Sequence, residues 1–274
     1  MKAPFLTGFA LALLGCPVYL TSSEAVTTKP PTSPEISDCV ATATPDRIKA
    51  VMPDGDLVLA AGGRTRLSDI RLPEPPAARE QALTKLRSLV DQPIMVQSLS
   101  RPDRWGRRIV RIRAMDQGEA ADLAETLVDA GLALVDPGTA STLCQPELLA
   151  IEETARERSL GLWTDGLYKP IDASHPGNLD DRFGTFALIE GRVRSIGERK
   201  QRVYLNFGGH WAEDFTIIIP KKTWKLMTER GLTAASLKGQ RIRSRGILEP
   251  WQGAALTVVV PEMIEHLDGT RLSR

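Results

Sequence analysis

The 274-residue sequence predicts an α+β protein, mainly β, in which two small five-stranded barrels follow one another and the first carries three helices. Three observations lead there. The composition is that of a globular chain, with 42% hydrophobic and 25% charged residues, which excludes disordered, collagen-like and coiled-coil classes. Short alternating segments bounded by Gly, Pro and Asp recur in both halves. A Pro/Gly/Asp-rich break at 165–182 divides segments of opposite charge. Residues 40–167 hold 16 basic against 19 acidic residues, and residues 168–274 hold 17 against 12. The whole chain carries only +1, which excludes a uniformly basic DNA-coating protein. Any nucleic-acid surface has to be local.

The N-terminus has the pattern of an export signal peptide, residues 1–25. Met1 and Lys2 open a positive region, Phe5 to Leu14 is apolar except for Thr7 and Gly8, and polar sequence follows. Ten residues fall short of the roughly 20 that span a bilayer, and no later stretch is long enough, so no transmembrane helix is expected in the mature protein. Two processing sites are readable. Ser23-Glu24-Ala25 suits a signal peptidase, and Leu13-Leu14-Gly15-Cys16 resembles the bacterial lipoprotein box and would put a lipid anchor on Cys16. Either places the protein outside the cytoplasm: periplasmic, cell-envelope or secreted. Residues 26–38 are Pro/Ser/Thr-rich and read as a linker. Cys39 and Cys144 then remain as a pair in an oxidising compartment and are expected to form a disulfide. Closing a loop of roughly 100 residues stabilises by up to about 4.7 kcal/mol in the chain-entropy account. There is no C-x-x-C and no His/Cys cluster of zinc type, and His175, His210 and His266 are scattered.

Within residues 39–166, Arg47–Leu59 and Arg64–Ile70 read as strands around the turns Pro53-Asp54-Gly55 and Ala61-Gly62-Gly63. Ala77–Val90 has the spacing of an amphipathic helix, started by Pro75-Pro76. Ile94–Leu99 and Arg108–Met115 read as a hairpin, and helices are expected at Glu119–Ala130 and Pro146–Leu160, each stopped by a glycine. Five short strands with helices at one end suggest a closed barrel of the oligonucleotide-binding type.

Five pieces in order then resemble the staphylococcal nuclease, or thermonuclease, family. They are Asp54-Gly55-Asp56, the run Arg66-Leu67-Ser68-Asp69-Ile70-Arg71-Leu72-Pro73-Glu74, Asp103-Arg104-Trp105-Gly106-Arg107, Leu127-Val128-Asp129-Ala130-Gly131-Leu132-Ala133, and Gly161-Leu162-Trp163. The resemblance covers about Arg47 to Trp163. It implies calcium-assisted phosphodiester hydrolysis of DNA or RNA. By position, Arg66 and Arg107 would hold the phosphoryl oxygens in a forked grip, Glu74 would orient or deprotonate the attacking water, and Asp56 would be a Ca2+ ligand. The second ligand is missing. Where the family has an aspartate this chain has Arg71, and where a threonine is usual it has Leu72. Two outcomes follow. Either Arg71 pairs with Asp56 and the domain binds phosphate without cutting well, or Asp56, carbonyls and water still hold the metal and a weak nuclease remains. Asp69, two residues before Arg71, would share its strand face at too great a distance to substitute. Trp105 is read either as packing on the barrel or as stacking on a base.

Residues 167–182 read as a second linker and 183–268 as a second barrel of the oligonucleotide-binding type. The expected order is strands at Phe186–Ile196, Arg202–Phe207 and Phe215–Ile219, a helix at Lys221–Arg230, and strands at Arg241–Leu248 and Ala255–Val260. Arg241, Arg243 and Arg245 alternate and share a face, as do Arg192 and Arg194. With Tyr204, Phe207 and Trp211 they would form a charged groove with stacking platforms for single-stranded nucleic acid; alternatively they are the solvated face of a half-buried sheet. The functional expectation is an exported nucleic-acid-binding protein with either weak Ca2+-dependent hydrolysis or no catalysis.

Overall fold

The computed structural model describes residues 39–116, 119–138, 142–175, 179–209 and 214–268. The expected signal peptide, the 26–38 linker, Cys16, His210 and Trp211 lie outside the described residues.

The first region contains β1 (Ala43–Val51), β2 (Leu57–Leu59), β3 (Arg64–Leu67), β4 (Ile70–Arg71), α1 (Pro76–Arg87), β5 (Pro93–Ser98), β6 (Arg107–Asp116), β7 (Glu119–Asp122), α2 (Leu123–Asp129), β8 (Leu134–Val135) and α3 (Leu148–Glu157). Antiparallel pairing runs β3-β2-β1-β5-β6-β7, and β3 also pairs in parallel with β6. That last pairing closes β1, β2, β3, β5 and β6 into a five-stranded barrel. Its interior is filled by residues such as Ile48, Leu57, Leu67, Val96, Val110 and Ile112, with Leu83 and Leu86 of α1 and Leu127 and Val128 of α2 packed against them. The mainly-β α+β class and this barrel agree with expectation. Two local expectations do not. The expected helix from Glu119 starts four residues later, because Glu119–Asp122 pairs with the end of β6 and the Asp122 side chain then caps α2 by accepting from the backbone N–H groups of Ala124 and Glu125. The run from Arg64 to Ile70 is not one strand. Asp69 has φ 62°, a left-handed turn that ends β3 and sends β4 off to pair with β8.

Cys39 and Cys144 form a disulfide, as expected. Gly131 and Gly161 meet back to back, the Gly131 carbonyl accepting from Leu162 N–H at 2.9 Å, and a Cβ on Gly161 would fall 2.2 Å from that oxygen. This contact folds the segment after α3 back under α2.

The second region contains β9 (Ile171–Asp172), β10 (Phe186–Arg192), β11 (Ser195–Glu198), β12 (Arg202–Asn206), β13 (Phe215–Pro220), α4 (Lys221–Glu229), α5 (Ala234–Leu237), β14 (Arg241–Ile247), β15 (Glu249–Pro250), β16 (Ala254–Thr257) and β17 (Ile264–His266). One sheet runs β17-β14-β10-β9 and the other β11-β12-β13-β16-β15, with β13 and β16 parallel. The strand expected from Phe186 to Ile196 is interrupted at Val193–Arg194. Their common core includes Val203, Leu205, Phe215, Ile217, Ile242 and Leu256.

Both regions fall within one compact unit. Leu134, Ala155, Leu162, Trp163 and Tyr168 pack with Phe186 and Leu188 in a third buried cluster. The segment between the two regions is packed rather than free: Tyr168 belongs to this cluster, Leu179 is buried in the core of the second region, and β9 pairs in parallel with β10. Among the described residues no helix is long and apolar enough to cross a membrane.

Candidate functional site

Closure of the barrel builds the site. Arg64 and Arg66 are two apart on β3 and project outward, while Thr65 and Leu67 point in and are buried. The parallel register puts Arg64 beside Arg107, the first residue of β6. On the other side β2 sets Leu57 opposite Thr65, which brings Asp56 next to Arg66. The turn leading into β2 needs glycine at position 55. Its φ is 86°, and a Cβ there would fall 2.4 Å from Leu72 Cδ1, so Leu72 lies directly on the acidic turn.

Asp56 is completely buried at the centre of this surface. Arg66 Nε donates to its Oδ1 at 2.7 Å, Arg64 Nε stands 2.8 Å from Oδ2, and Arg107 Nη1 is 3.8 Å from Oδ2. The Arg64 approach is a charge contact without hydrogen-bond alignment. Asp54, at the rim, lies 2.5 Å from Arg64 Nη2 and 3.6 Å from Arg66 Nη2. Arg107 is held from behind by Asp103, which accepts from Arg107 Nε and from the backbone N–H groups of Trp105 and Arg107. Burial pushes the Asp103 carboxyl up, but these hydrogen bonds outweigh it and hold the group below the usual carboxylate value. Trp105 is 58% exposed, with the guanidinium groups of Arg104 and Arg107 3.8 and 4.8 Å from its ring centroid. It does not pack on the barrel.

Each guanidinium has five N–H donors, and the contacts with Asp54, Asp56 and Asp103 occupy only some of them. The side chains of Arg64, Arg66 and Arg107 are 39%, 44% and 24% exposed, which leaves outward-facing donors open to a ligand. Glu74 is not joined to this group. Its backbone N–H donates to Tyr168 Oη at 2.8 Å, and among the described residues no ion pair or hydrogen bond links its carboxylate to Arg66 or Arg107.

The alternative in which Arg71 pairs with Asp56 is corrected by these contacts. Pairing of β4 with β8 sets Arg71 opposite Leu134, two residues before Asp136. Arg71 Nε accordingly donates to Asp136 at 2.7 Å, and its guanidinium lies 5.3 Å from the ring centroid of Phe186 in the second region. Asp69 does not share a strand face with Arg71, since the turn intervenes. It is buried and accepts from the backbone N–H of Cys144. Burial raises its pKa to about 6, against the pull of the Cys144 and Gln145 backbone and of Arg111.

A family model for staphylococcal nuclease homologues matches residues 64–165. This stretch is a staphylococcal nuclease-like domain. No curated protein matches the sequence. A nuclease-like domain suggests nucleic-acid binding or nuclease activity. The match begins on β3, so Asp54 and Asp56 come from the turn between β1 and β2, just upstream of it.

The residues of this nuclease-like domain do not fit the calcium ion that the resemblance implied. Both oxygens of Asp56 face guanidinium groups, Arg71 stands where a second carboxylate was expected, and Leu72 covers the acidic turn. Among the described residues no group of three or more His, Cys, Asp or Glu is placed to hold a metal. A divalent ion 4 Å from one guanidinium is repelled by about 8 kcal/mol at an effective dielectric near 20.

The basic residues expected to form a groove in the second region divide. Arg243 and Arg245 do share a face with Arg241, but α3 lies over these two and Glu265 of the neighbouring strand β17 pairs with both. Arg245 is 1% exposed, with Nη1 2.7 Å from Glu152, Nη2 2.6 Å from Glu265, and a hydrogen bond to the Val135 carbonyl. Arg243 contacts Glu153, Glu190 and Glu265. Burial works against the charge of Arg245, but Glu152 and Glu265 outweigh it and raise its pKa. Neither side chain can reach a phosphate, which corrects their assignment as nucleic-acid ligands. Arg192 and Arg194 straddle the break between β10 and β11; both are exposed, Arg192 with Asp268 at 3.1 Å. Arg241 is exposed and 3.0 Å from Glu190.

Arg64 was the functional candidate that the motifs missed. Its signal was present in the sequence, since a residue two before Arg66 on a strand shares its face.

Proposed function

We propose that this is an exported nucleic-acid-binding protein whose nuclease-like domain grips the phosphodiester backbone without efficient hydrolysis. The observation that carries this reading is the convergence of Arg64, Arg66 and Arg107, with open donors, beside exposed Trp105. Guanidinium forks recognise phosphate oxygens, and an exposed aromatic offers a face for a base. Glu74 unconnected to the arginines and a poor metal-ligand set both support binding over cutting. Export rests on the N-terminal sequence, with either a free mature form or a lipid on Cys16, and the Cys39–Cys144 bridge suits an oxidising compartment. The second region adds a barrel of the oligonucleotide-binding type on this reading. Its β10/β14 pairing, its β11-β12-β13 meander and its parallel β13/β16 pair support that assignment. Arg192, Arg194 and Arg241 are its remaining exposed cations among those expected to bind nucleic acid.

The test is fluorescence anisotropy with labelled single- and double-stranded DNA and RNA, with a digestion assay alongside. Wild type should bind with affinity that falls steeply with salt, Arg66→Ala and Arg107→Ala should each weaken binding about tenfold or more, and no strand should be cut with calcium present. Calcium-dependent cutting that disappears in Glu74→Gln would replace this reading with a nuclease. Absence of binding at low salt would remove it.

A further inference from the structure

We infer that Asp56 is a positioning residue for a three-armed guanidinium fork, that Arg64 is its third arm, and that the fork takes a phosphodiester without a divalent cation. This rests on the nucleic-acid reading above and gives its site a chemistry different from that implied by the resemblance.

The argument starts from the burial of Asp56. A fully buried carboxylate requires partners, and those present are guanidinium groups rather than an opening for water or a cation. Arg66 and Arg64 present Nε to opposite oxygens of one carboxylate, so the Arg66 plane is anchored at its inner edge by a hydrogen bond and Arg64 is held there by charge contact. Arg107 is anchored by Nε to Asp103 and lies beside Arg64 in the β3/β6 register. The outer Nη groups are what remain. Long arginine side chains otherwise lose rotamer freedom when they grip an anion, and inner-edge anchoring removes part of that loss before the ligand arrives. Asp54 at the rim is half exposed and can yield its contacts when a phosphate enters.

Anisotropy with a labelled single-stranded oligonucleotide, run in EDTA and in calcium, separates the possibilities. Wild-type affinity should agree within about twofold in the two buffers. Arg64→Ala should weaken binding about tenfold and lower the slope of log affinity against log salt by about one phosphate contact, with the melting temperature retained. Asp56→Asn supplies the decisive sign. Removing a negative charge beside a phosphate site should tighten binding if only net charge matters, and should weaken it in EDTA if Asp56 positions the arms. Binding that requires calcium would overturn the inference while leaving the nucleic-acid reading standing. So would tighter binding by Asp56→Asn, or an unchanged affinity and salt slope in Arg64→Ala. No binding by wild type in either buffer would remove the nucleic-acid reading and the inference with it.

Discussion

Two arginine clusters in this molecule use the same chemistry to opposite ends. On the first barrel, Arg64, Arg66 and Arg107 meet Asp56 at a surface where each side chain stays partly exposed. Between the regions, Arg243 and Arg245 meet Glu152, Glu153, Glu190 and Glu265, and the two arginine side chains are only 6% and 1% exposed. The first cluster leaves donors open; the second turns its donors inward and joins β14 to α3. Whether a row of arginines can serve a ligand therefore depends on what covers it, not on its charge or its spacing.

Breaking the buried cluster should have the largest effect. Arg245→Ala leaves Glu152 without its cation in a site of 0% exposure, and should lower unfolding free energy by about 3–5 kcal/mol in chemical denaturation. Arg66→Ala leaves Asp56 in charge contact with Arg64 and Arg107 and should lower it by less, about 1–2 kcal/mol. Equal losses would dissolve the distinction between the clusters.

Asp69 sharpens the comparison from the carboxylate side, because it is buried and among the described residues no guanidinium pairs with it, Arg111 acting only through space. Its folded pKa, raised from 3.8 to about 6, means that folding disfavours the ionised form. The associated stability is full below about pH 4 and is lost as pH rises through 6. Asp69→Asn, which tolerates the left-handed φ, should stabilise by up to about 3 kcal/mol above pH 7 and make little difference near pH 4. A melting-temperature profile against pH reads this directly; a variant that melts lower at pH 7.5 would refute it.

The smallest effect belongs to Arg71, which lies between the two classes. Arg71→Ala removes one partly exposed ion pair and one cation–π contact, and should cost about 1 kcal/mol while leaving oligonucleotide affinity within twofold. A large loss of affinity would return Arg71 to the binding surface.

Much of the first barrel was legible because its signals are local. Gly55, the Pro75-Pro76 start of α1 and the alternation of β5 and β6 each act over a few residues. Sequence and structure differ where one local preference overrides another. Asp122 falls within a helical pattern but caps the helix, and Asp69 falls within a strand pattern but forms the turn that ends it. Of the candidate site, Arg66, Arg107 and Asp56 are legible from their motifs; their convergence follows from the family resemblance alone and not from local signals, because it depends on β3 and β6, distant in sequence, pairing in parallel.

By itself the sequence determined the α+β class, the cysteine pair and the loss of a carboxylate at position 71, since composition, turn residues and residue identity are carried by the chain. Only the tertiary structure decided that Asp56 belongs to Arg64, Arg66 and Arg107, that Arg71 belongs to Asp136, and that Arg243 and Arg245 are interior. The physical reason is that alternation fixes which side chains share a face, whereas burial depends on which element arrives to cover that face. Here α3 covers Arg243 and Arg245, and nothing described covers the fork.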